Sequence, residues 1–381
     1  MDPDGDLFRR QLLQAFGASG ATLDALLAYN LNPFATDGFG ALPLPDEPHL
    51  TAWDDYLQDA RSSGVFDALA ARLVQLQFPI QAGISQTETY RAATRRGRPP
   101  DAGAPGLALE RPQDLQLTIE KTLAGRIPVL VTPCRHDFVA LFRACTARNE
   151  PEPVRDSVGA CIVTGLNNWD RVARHRQRIE EERGAPLDAS EWAAEFSALV
   201  PRKELYQDRF IILSGEPYSA VPAREVGLDE ETWRVRSVEI RRAHECTHYF
   251  TLRAFGVMRN NLLDELLADF AGLAAAFGRY DGRLALRFLG LDVWPDRRPG
   301  GRFEQYLGTP PIEAPAVEVL HGLIVAAVSR LDAFLGGADL HSPGSVARLL
   351  VALAGLTIEE MADESLPVRL ADRLSKAPAL A

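Results

Sequence analysis

The sequence predicts an α+β protein that is mainly helical, with a small mixed sheet and helical subdomains. Apolar residues recur at three- and four-residue spacing along most of the chain, which is typical of amphipathic helices. Three short apolar runs rich in β-branched residues interrupt this pattern at residues 127–131, 160–164 and 210–214, and they predict buried strands. A length of 381 residues, with 46% hydrophobic and 24% charged residues, indicates a globular protein of two domains or subdomains.

The first region of the chain, residues 1–110, is predicted to be helical. Apolar residues at helical spacing extend through most of it, and the Pro- and Gly-rich segment 95–106 is typical of a linker or a long loop. We therefore expect a second region over residues 111–381. The sheet and the principal helices of that region should lie within about 120–278, and a helical subdomain should follow over about 279–381.

Two helices between the predicted strands have recognisable first residues. Asn168 is a suitable N-terminal cap for Trp169–Arg183, and Asp188 or Ser190 can cap the next helix. Trp169–Arg183 carries many arginines and glutamates. These charges indicate a solvated face with internal ion pairs, and a carboxylate- or phosphate-binding role is the alternative.

Composition and charge exclude several classes of partner. The chain has 41 Lys and Arg and 52 Asp and Glu, a net charge of −11. Binding to nucleic acid or anionic lipid depends on clustered cations, so we expect neither a nucleic-acid nor a membrane partner. The 4 cysteines form no CxxC pair, which is typical of reduced thiols. No signal-peptide pattern opens the sequence, and Glu318, His321 and Arg330 interrupt the most apolar stretch, so we expect a cytoplasmic location.

The segment 244–248 reads His-Glu-Cys-Thr-His and carries the strongest chemical signal. On a helix, His244 and His248 lie on one face about 6 Å apart along the axis, so both imidazoles can point at one ion. Glu245 is rotated away from that face and can act as general base on a metal-bound water. The chain has only 7 histidines, and a chance match to this pattern has a probability of roughly 1%. The alternative is a buried histidine pair satisfied by hydrogen bonds.

A second helix is predicted after a short turn at residues 256–260. Asn261 and Asp264 are suited to its N-terminal cap. Glu265 and Asp269 lie four residues apart on a face otherwise made of leucines. Acidic residues on an apolar face are rarely unpaired, and a cation held by the preceding helix would pair with them. The alternatives are a surface carboxylate near the helix start for Glu265 and an ordinary salt bridge for Asp269.

An H-E-x-x-H segment followed by E-x-x-x-D on the next helix resembles the gluzincin clan of zinc metallopeptidases, which have a thermolysin-type site. The resemblance implies that His244, His248 and Glu265 are the ligands of a Zn2+ ion. It also implies that Glu245 is the general base, that Asp269 is a carboxylate hydrogen-bonded to a histidine ligand, and that the core is zincin-like. Two imidazoles, one carboxylate and an open water position agree with a catalytic zinc site, and imidazole-rich sites favour zinc over other divalent ions.

The resemblance implies two further parts of the site. An oxyanion donor should follow the second helix, and His321 on the predicted helix Ala314–Leu335 is the best candidate, with a core histidine as the alternative. An edge strand should pair with extended substrate, and residues 210–214 are the nearest candidate. Three tyrosines are weaker candidates for the oxyanion donor: Tyr218, Tyr280 and Tyr306.

The sequence therefore predicts a zinc metallohydrolase, a metallopeptidase in the first instance, that cleaves an amide or peptide bond. Two alternatives stay open. One is a zinc-dependent enzyme of specialised metabolism that acts on a small-molecule amide or acyl substrate, and the other is a non-catalytic metal-binding protein. The partner is accordingly a peptide or a small-molecule amide, and the sequence indicates no oligomeric state.

Overall fold

The computed structural model describes residues 3–34, 41–101, 103–258, 261–293, 295–299 and 301–376. The chain forms two compact units. We call Pro45–Glu216 the sheet unit, and Met1–Leu44 together with Pro217–Ala381 the helical unit. This division differs from the boundary expected near residue 110, and segment 95–106 lies inside the sheet unit rather than between units.

The mainly helical α+β class predicted from the sequence is confirmed. In chain order, the helices are α1 (Pro3–Ala15), α2 (Gly20–Tyr29), α3 (Leu50–Ser63), α4 (Val65–Ala70), α5 (Glu88–Arg96), α6 (Arg135–Thr146), α7 (Trp169–Arg183), α8 (Ala189–Leu199), α9 (Ala223–Val226), α10 (Glu230–Phe255), α11 (Leu262–Phe277), α12 (Gly282–Leu289), α13 (Ala314–Leu335), α14 (Pro343–Ala354), α15 (Ile358–Ala362) and α16 (Leu366–Lys376). The strands are β1 (Gln116–Thr122), β2 (Gly125–Thr132), β3 (Ala160–Asn167) and β4 (Gln207–Ser214). Short 3-10 helices connect several of these elements, among them Arg302–Tyr306.

The strands of the sheet unit form one mixed sheet in the order β1-β2-β4-β3. β1 and β2 form an antiparallel hairpin, β2 pairs parallel with β4, and β3 pairs antiparallel with β4. The prediction that residues 210–214 form an edge strand is therefore wrong, because neighbours on both sides occupy the backbone hydrogen bonds of β4. A strand paired on both sides has no free edge that could bind an extended peptide.

The sheet unit has a buried core in which aromatic side chains pack against β4. Trp53 of α3 is fully buried, its ring centroid lies 4.9 Å from that of Phe210, and its indole donates to Asp208 Oδ2 at 2.8 Å. Asn168 caps α7 as predicted, because its side chain accepts hydrogen bonds from the first turn. Of the two caps proposed for α8, Asp188 is the one used, in a capping box with Glu191.

The described residues of the helical unit form helices and connecting loops, and they contain the predicted zinc helices α10 and α11. α13 matches its predicted bounds and has a largely buried apolar face. By length and composition, α13 could also cross a membrane, but half of its most apolar window is buried within the structure. Burial of this kind is expected of a helix packed in a protein core.

Candidate metal centre

Helix α10 places His244 and His248 on one buried face, one turn apart. The adjoining helix α11 approaches this face closely at Gly272. A Cβ atom on Gly272 would lie 2.9 Å from Cγ2 of Ile240 and 3.0 Å from its carbonyl oxygen. The missing side chain therefore allows α11 to bring its carboxylates next to the two imidazoles.

The ligand atoms of three side chains converge between the helices. Nε2 of His244 lies 3.0 Å from Nε2 of His248. Oε2 of Glu265 lies 3.5 Å from Nε2 of His244, and Oε1 lies 3.3 Å from Nε2 of His248. Two atoms bound at about 2.0–2.1 Å to a tetrahedral zinc ion are about 3.4 Å apart. The three side chains therefore have the spacing that one divalent ion requires.

A carboxylate lies behind each imidazole. Oδ1 of Asp269 is 3.1 Å from Nδ1 of His244, and Oδ2 of Asp264 is 3.1 Å from Nδ1 of His248. Asp269 hydrogen-bonds with Nδ1 of His244, whereas Asp264 and His248 form a close charge pair whose atoms are not aligned for a hydrogen bond. A carboxylate in either position favours a proton on Nδ1 and leaves the lone pair on Nε2. Two lone pairs that face each other at 3.0 Å repel unless a proton or a metal ion lies between them. The arrangement thus suits a cation.

The cluster is strongly attractive to cations. Burial by itself lowers the pKa of both imidazoles, but the carboxylate contacts outweigh it and raise the pKa of His244, and that of His248 further. Burial raises the pKa of Glu265, yet hydrogen bonds with the two imidazoles bring it well below its ordinary value. Without a metal, the carboxylates therefore favour uptake of protons by the histidines.

Arg302 holds two of the carboxylates from the opposite side. Its Nη2 donates to Oε2 of Glu265 at 2.7 Å and to Oδ1 of Asp269 at 3.1 Å. Only 10% of the side chain is exposed. Burial lowers the pKa of Arg302, but Asp269 and other neighbours raise it well above its ordinary value. Arg302 therefore keeps its charge and offsets part of the negative charge of the cluster.

Two tyrosines that were weaker candidates also contact the cluster. The hydroxyl of Tyr218 donates to Oδ1 of Asp269 at 2.7 Å and lies 2.9 Å from Nδ1 of His244. Tyr306 hydrogen-bonds with Glu265 and Arg302. Burial, together with the charge of Glu265, raises the pKa of Tyr306, so its hydroxyl remains protonated.

The remaining predicted site residues lie in different surroundings. The contacts of His321 include the ring of Phe303, 5.9 Å between centroids, and the charges of Arg297 and Glu318. Burial, the largest influence, lowers the pKa of His321. Glu245 is half-buried, and no hydrogen bond or ion pair to its carboxylate occurs among the residues that the structure describes.

Sequence reasoning missed Asp264 and Arg302 as site residues. Asp264 was assigned to the helix cap, and its backbone N–H does donate to the Asn261 side chain at 3.1 Å. Its carboxylate is nevertheless fully buried against His248. The sequence signal was a third acid on a helix made almost entirely of leucine and alanine. Arg302 lies in a segment without a recognisable helical or strand pattern. Its role depends on a long-range contact with Glu265, which no local signal indicates.

The chain belongs to DUF7005, a family of unknown function, whose sequence profile matches residues 11–365. The match includes the whole metal cluster and residues of both compact units. No curated protein and no solved structure matches the chain.

Proposed function

We propose that this member of DUF7005 is a zinc-dependent hydrolase that cleaves an amide or peptide bond, with His244, His248 and Glu265 as the metal ligands. The observation that carries the proposal is the convergence of two Nε2 atoms and one carboxylate within 3.5 Å of one another. A cluster of two histidines and one glutamate supplies three protein ligands and leaves a fourth position for a water molecule, as in catalytic zinc sites.

The donor set fits zinc better than the oxygen-preferring ions. Imidazole nitrogen suits zinc, whereas Mg²⁺ and Ca²⁺ prefer oxygen ligands. When bound, zinc would act as a Lewis acid and lower the pKa of a coordinated water to about 7. Asp264 and Asp269 contribute by holding the imidazoles with Nε2 directed inwards.

Glu245 is proposed to take the proton from the attacking water and to return it to the leaving amine. It follows His244 directly on α10, and its carboxylate has no partner among the described residues that would compete for that proton. This distinguishes Glu245 from Glu265, whose oxygens contact both imidazoles and Arg302.

The oxyanion donor is proposed to be either His321 or Tyr306. His321 follows from the resemblance, whereas Tyr306 is favoured by its hydrogen bond to Glu265. A hydroxyl that remains protonated can donate to a developing negative charge. Tyr306→Phe should therefore lower kcat more than His321→Ala does, and the reverse order would assign the role to His321.

The test combines metal content with turnover. Protein purified without chelators should contain about one zinc ion per chain, since the cluster offers one three-ligand site. His244→Ala should lose the metal, and His341→Ala, which changes an exposed histidine, should keep it. Unchanged zinc content in His244→Ala would contradict the ligand assignment.

Glu245→Gln should keep the zinc and lose about 10²–10⁴-fold in kcat, the range for a general base. Glu239→Gln, at a half-buried glutamate of the same helix that pairs with Arg236, is the matched control. The substrates would be a pool of unstructured fluorogenic peptides and, separately, small acyl anilides. Retained turnover in Glu245→Gln would exclude Glu245 as the base. Full zinc occupancy without turnover of either substrate class would favour a non-catalytic protein.

A further inference from the structure

A cavity in the sheet unit has a markedly basic lining. It has a volume of about 440 Å³ and lies beside α5, the end of α6 and the bulge in β3. None of the described residues that line it is an aspartate or a glutamate. Its polar lining includes Gln75, Ser85, Tyr90, Arg91, Arg95 and Arg148. In a chain with a net charge of −11, such a lining is unexpected.

The three arginines of the cavity have no carboxylate partner among the described residues. Arg91 and Arg95 lie four residues apart on α5, a spacing at which like charges repel. The Nε atom of Arg91 is buried and makes no hydrogen bond within the described part of the chain. The positive charges are therefore left for a ligand to neutralise.

The acidic residues nearest in sequence are bound elsewhere. Glu88 pairs with Arg96 at the other end of α5. The carboxylate of Glu150 accepts hydrogen bonds from the backbone N–H groups of Gly83 at 2.7 Å and Ser85 at 2.8 Å. A hydrogen bond from the Ser85 side chain, together with these backbone hydrogen bonds, keeps the pKa of Glu150 below its ordinary value. Among the described residues, neither carboxylate forms an ion pair with Arg91, Arg95 or Arg148.

A buried amide adds a second, independent feature. Gln75 lines the cavity and is only 5% exposed. Its Nε2 donates to the carbonyl oxygen of Asn167 at 3.4 Å, but its Oε1 accepts no hydrogen bond from any described residue. A buried acceptor without a donor is costly, so a ligand group that carries an O–H or N–H would satisfy it.

The cavity wall is held by a dense set of hydrogen bonds. The side-chain N–H₂ group of Asn149 donates to the carbonyl oxygens of Gln75 and Phe78 at 3.0 and 2.9 Å, and its Oδ1 accepts from the hydroxyl of Tyr90 at 3.1 Å. Asn149 is fully buried and directly follows Arg148. The hydrogen bonds of Asn149 thus hold the backbone next to Arg148, whose side chain is exposed at the cavity.

We propose that this cavity binds a small molecule that carries a phosphate group and a hydroxyl group. Guanidinium groups bind phosphate through paired, charge-assisted hydrogen bonds. A phosphate monoester brings up to two negative charges and three acceptor oxygens to Arg91, Arg95 and Arg148, and the hydroxyl donates to Oε1 of Gln75. The volume of about 440 Å³ fits a small molecule better than a nucleic-acid strand, which needs an extended basic surface.

The test is calorimetric titration of the full chain with ribose 5-phosphate, inorganic phosphate, ribose and an oligouridylate at constant ionic strength. Ribose 5-phosphate should bind saturably, and ribose alone should not. Arg91→Gln and Arg148→Gln should each raise the Kd about tenfold or more, as expected for loss of a charged hydrogen-bonding partner. Arg61→Gln, at an exposed arginine of α3, is the matched control and should leave the Kd unchanged.

Gln75→Leu should affect ribose 5-phosphate more than inorganic phosphate, so the ratio of their Kd values should move towards unity. An unchanged ratio would remove Gln75 from the site. Failure of both phosphates to bind, equal weakening by Arg61→Gln, or tighter binding of the oligouridylate than of ribose 5-phosphate would each overturn the proposal. Circular dichroism and zinc content separate these outcomes from unfolding and from failure of the proposed metal site.

Discussion

Replacing Asp264 by asparagine should weaken zinc binding without disturbing the fold. The carboxylate is fully buried, and its Oδ2 lies 3.1 Å from Nδ1 of His248. Asparagine has nearly the same volume but no charge, so it removes the electrostatic support of this imidazole. The cap of α11 is preserved because Asn261 accepts from the backbone N–H of residue 264, which the substitution does not change.

The size of the effect follows from the role of the carboxylate. Loss of a partner behind a metal-bound histidine typically costs about 10–100-fold in metal affinity. This corresponds to about 1.4–2.7 kcal/mol, because each tenfold change in Kd equals about 1.4 kcal/mol. Asp264 lies at the upper part of this range because no water reaches its fully buried side chain to replace the lost interaction.

Competition with a fluorescent zinc chelator measures the Kd for zinc. Thermal unfolding of the metal-free protein measures its Tm and so shows whether the fold is disturbed. Asp24→Asn, at an exposed aspartate, is the control. A Kd of Asp264→Asn equal to that of the unaltered protein would refute the role assigned to this carboxylate. Equal losses of stability with and without zinc would show that the residue serves the fold alone.

Three further predictions concern the charge, packing and protonation of the cluster. Arg302→Met leaves Glu265 buried beside fewer cations and should destabilise the metal-free protein by about 3–5 kcal/mol. Zinc should then raise the Tm of Arg302→Met by more than it raises the Tm of the unaltered protein, and an equal rise would contradict this prediction. Gly272→Ala places a Cβ atom 2.9 Å from Cγ2 of Ile240. It should lower the free energy of unfolding, measured with urea, by about 1–3 kcal/mol. Unchanged stability would refute the close packing of α10 on α11. The raised pKa of His248 means that protons compete with zinc already at neutral pH, and zinc affinity should fall as the pH decreases from about 8.5 to about 6. In the metal-free protein, protonated His248 should stabilise the fold at a pH below the ordinary imidazole pKa. This stabilisation should be lost as the pH rises through the raised pKa of His248 in the folded protein, so a pH-independent Tm would contradict the prediction.

Local signals in the sequence were sufficient for the elements that depend on neighbouring residues. The spacing of His244 and His248 on a helix, the cap at Asn168 and the bounds of α13 all follow from interactions within a few residues. The strands β2, β3 and β4 were found because they are apolar and β-branched. β1 was missed because it is not a continuous apolar run: polar residues flank Leu117 and Ile119, and Glu120 and Lys121 follow.

Features that depend on distant parts of the chain could not be predicted in the same way. The central position of β4 is determined by pairing with β2 and β3, which no local pattern encodes. The association of Met1–Leu44 with Pro217–Ala381 likewise depends on long-range contacts. For the same reason, the contact between Arg302 and Glu265, 37 residues apart, has no sequence signature.

The most direct test of the central claim is anomalous diffraction at the zinc absorption edge from crystals grown without chelators. The account predicts one strong peak at about 2.0–2.1 Å from Nε2 of both His244 and His248, and at a similar distance from an oxygen of Glu265. No peak between these three side chains, in crystals of protein that had been supplied with zinc, would contradict it.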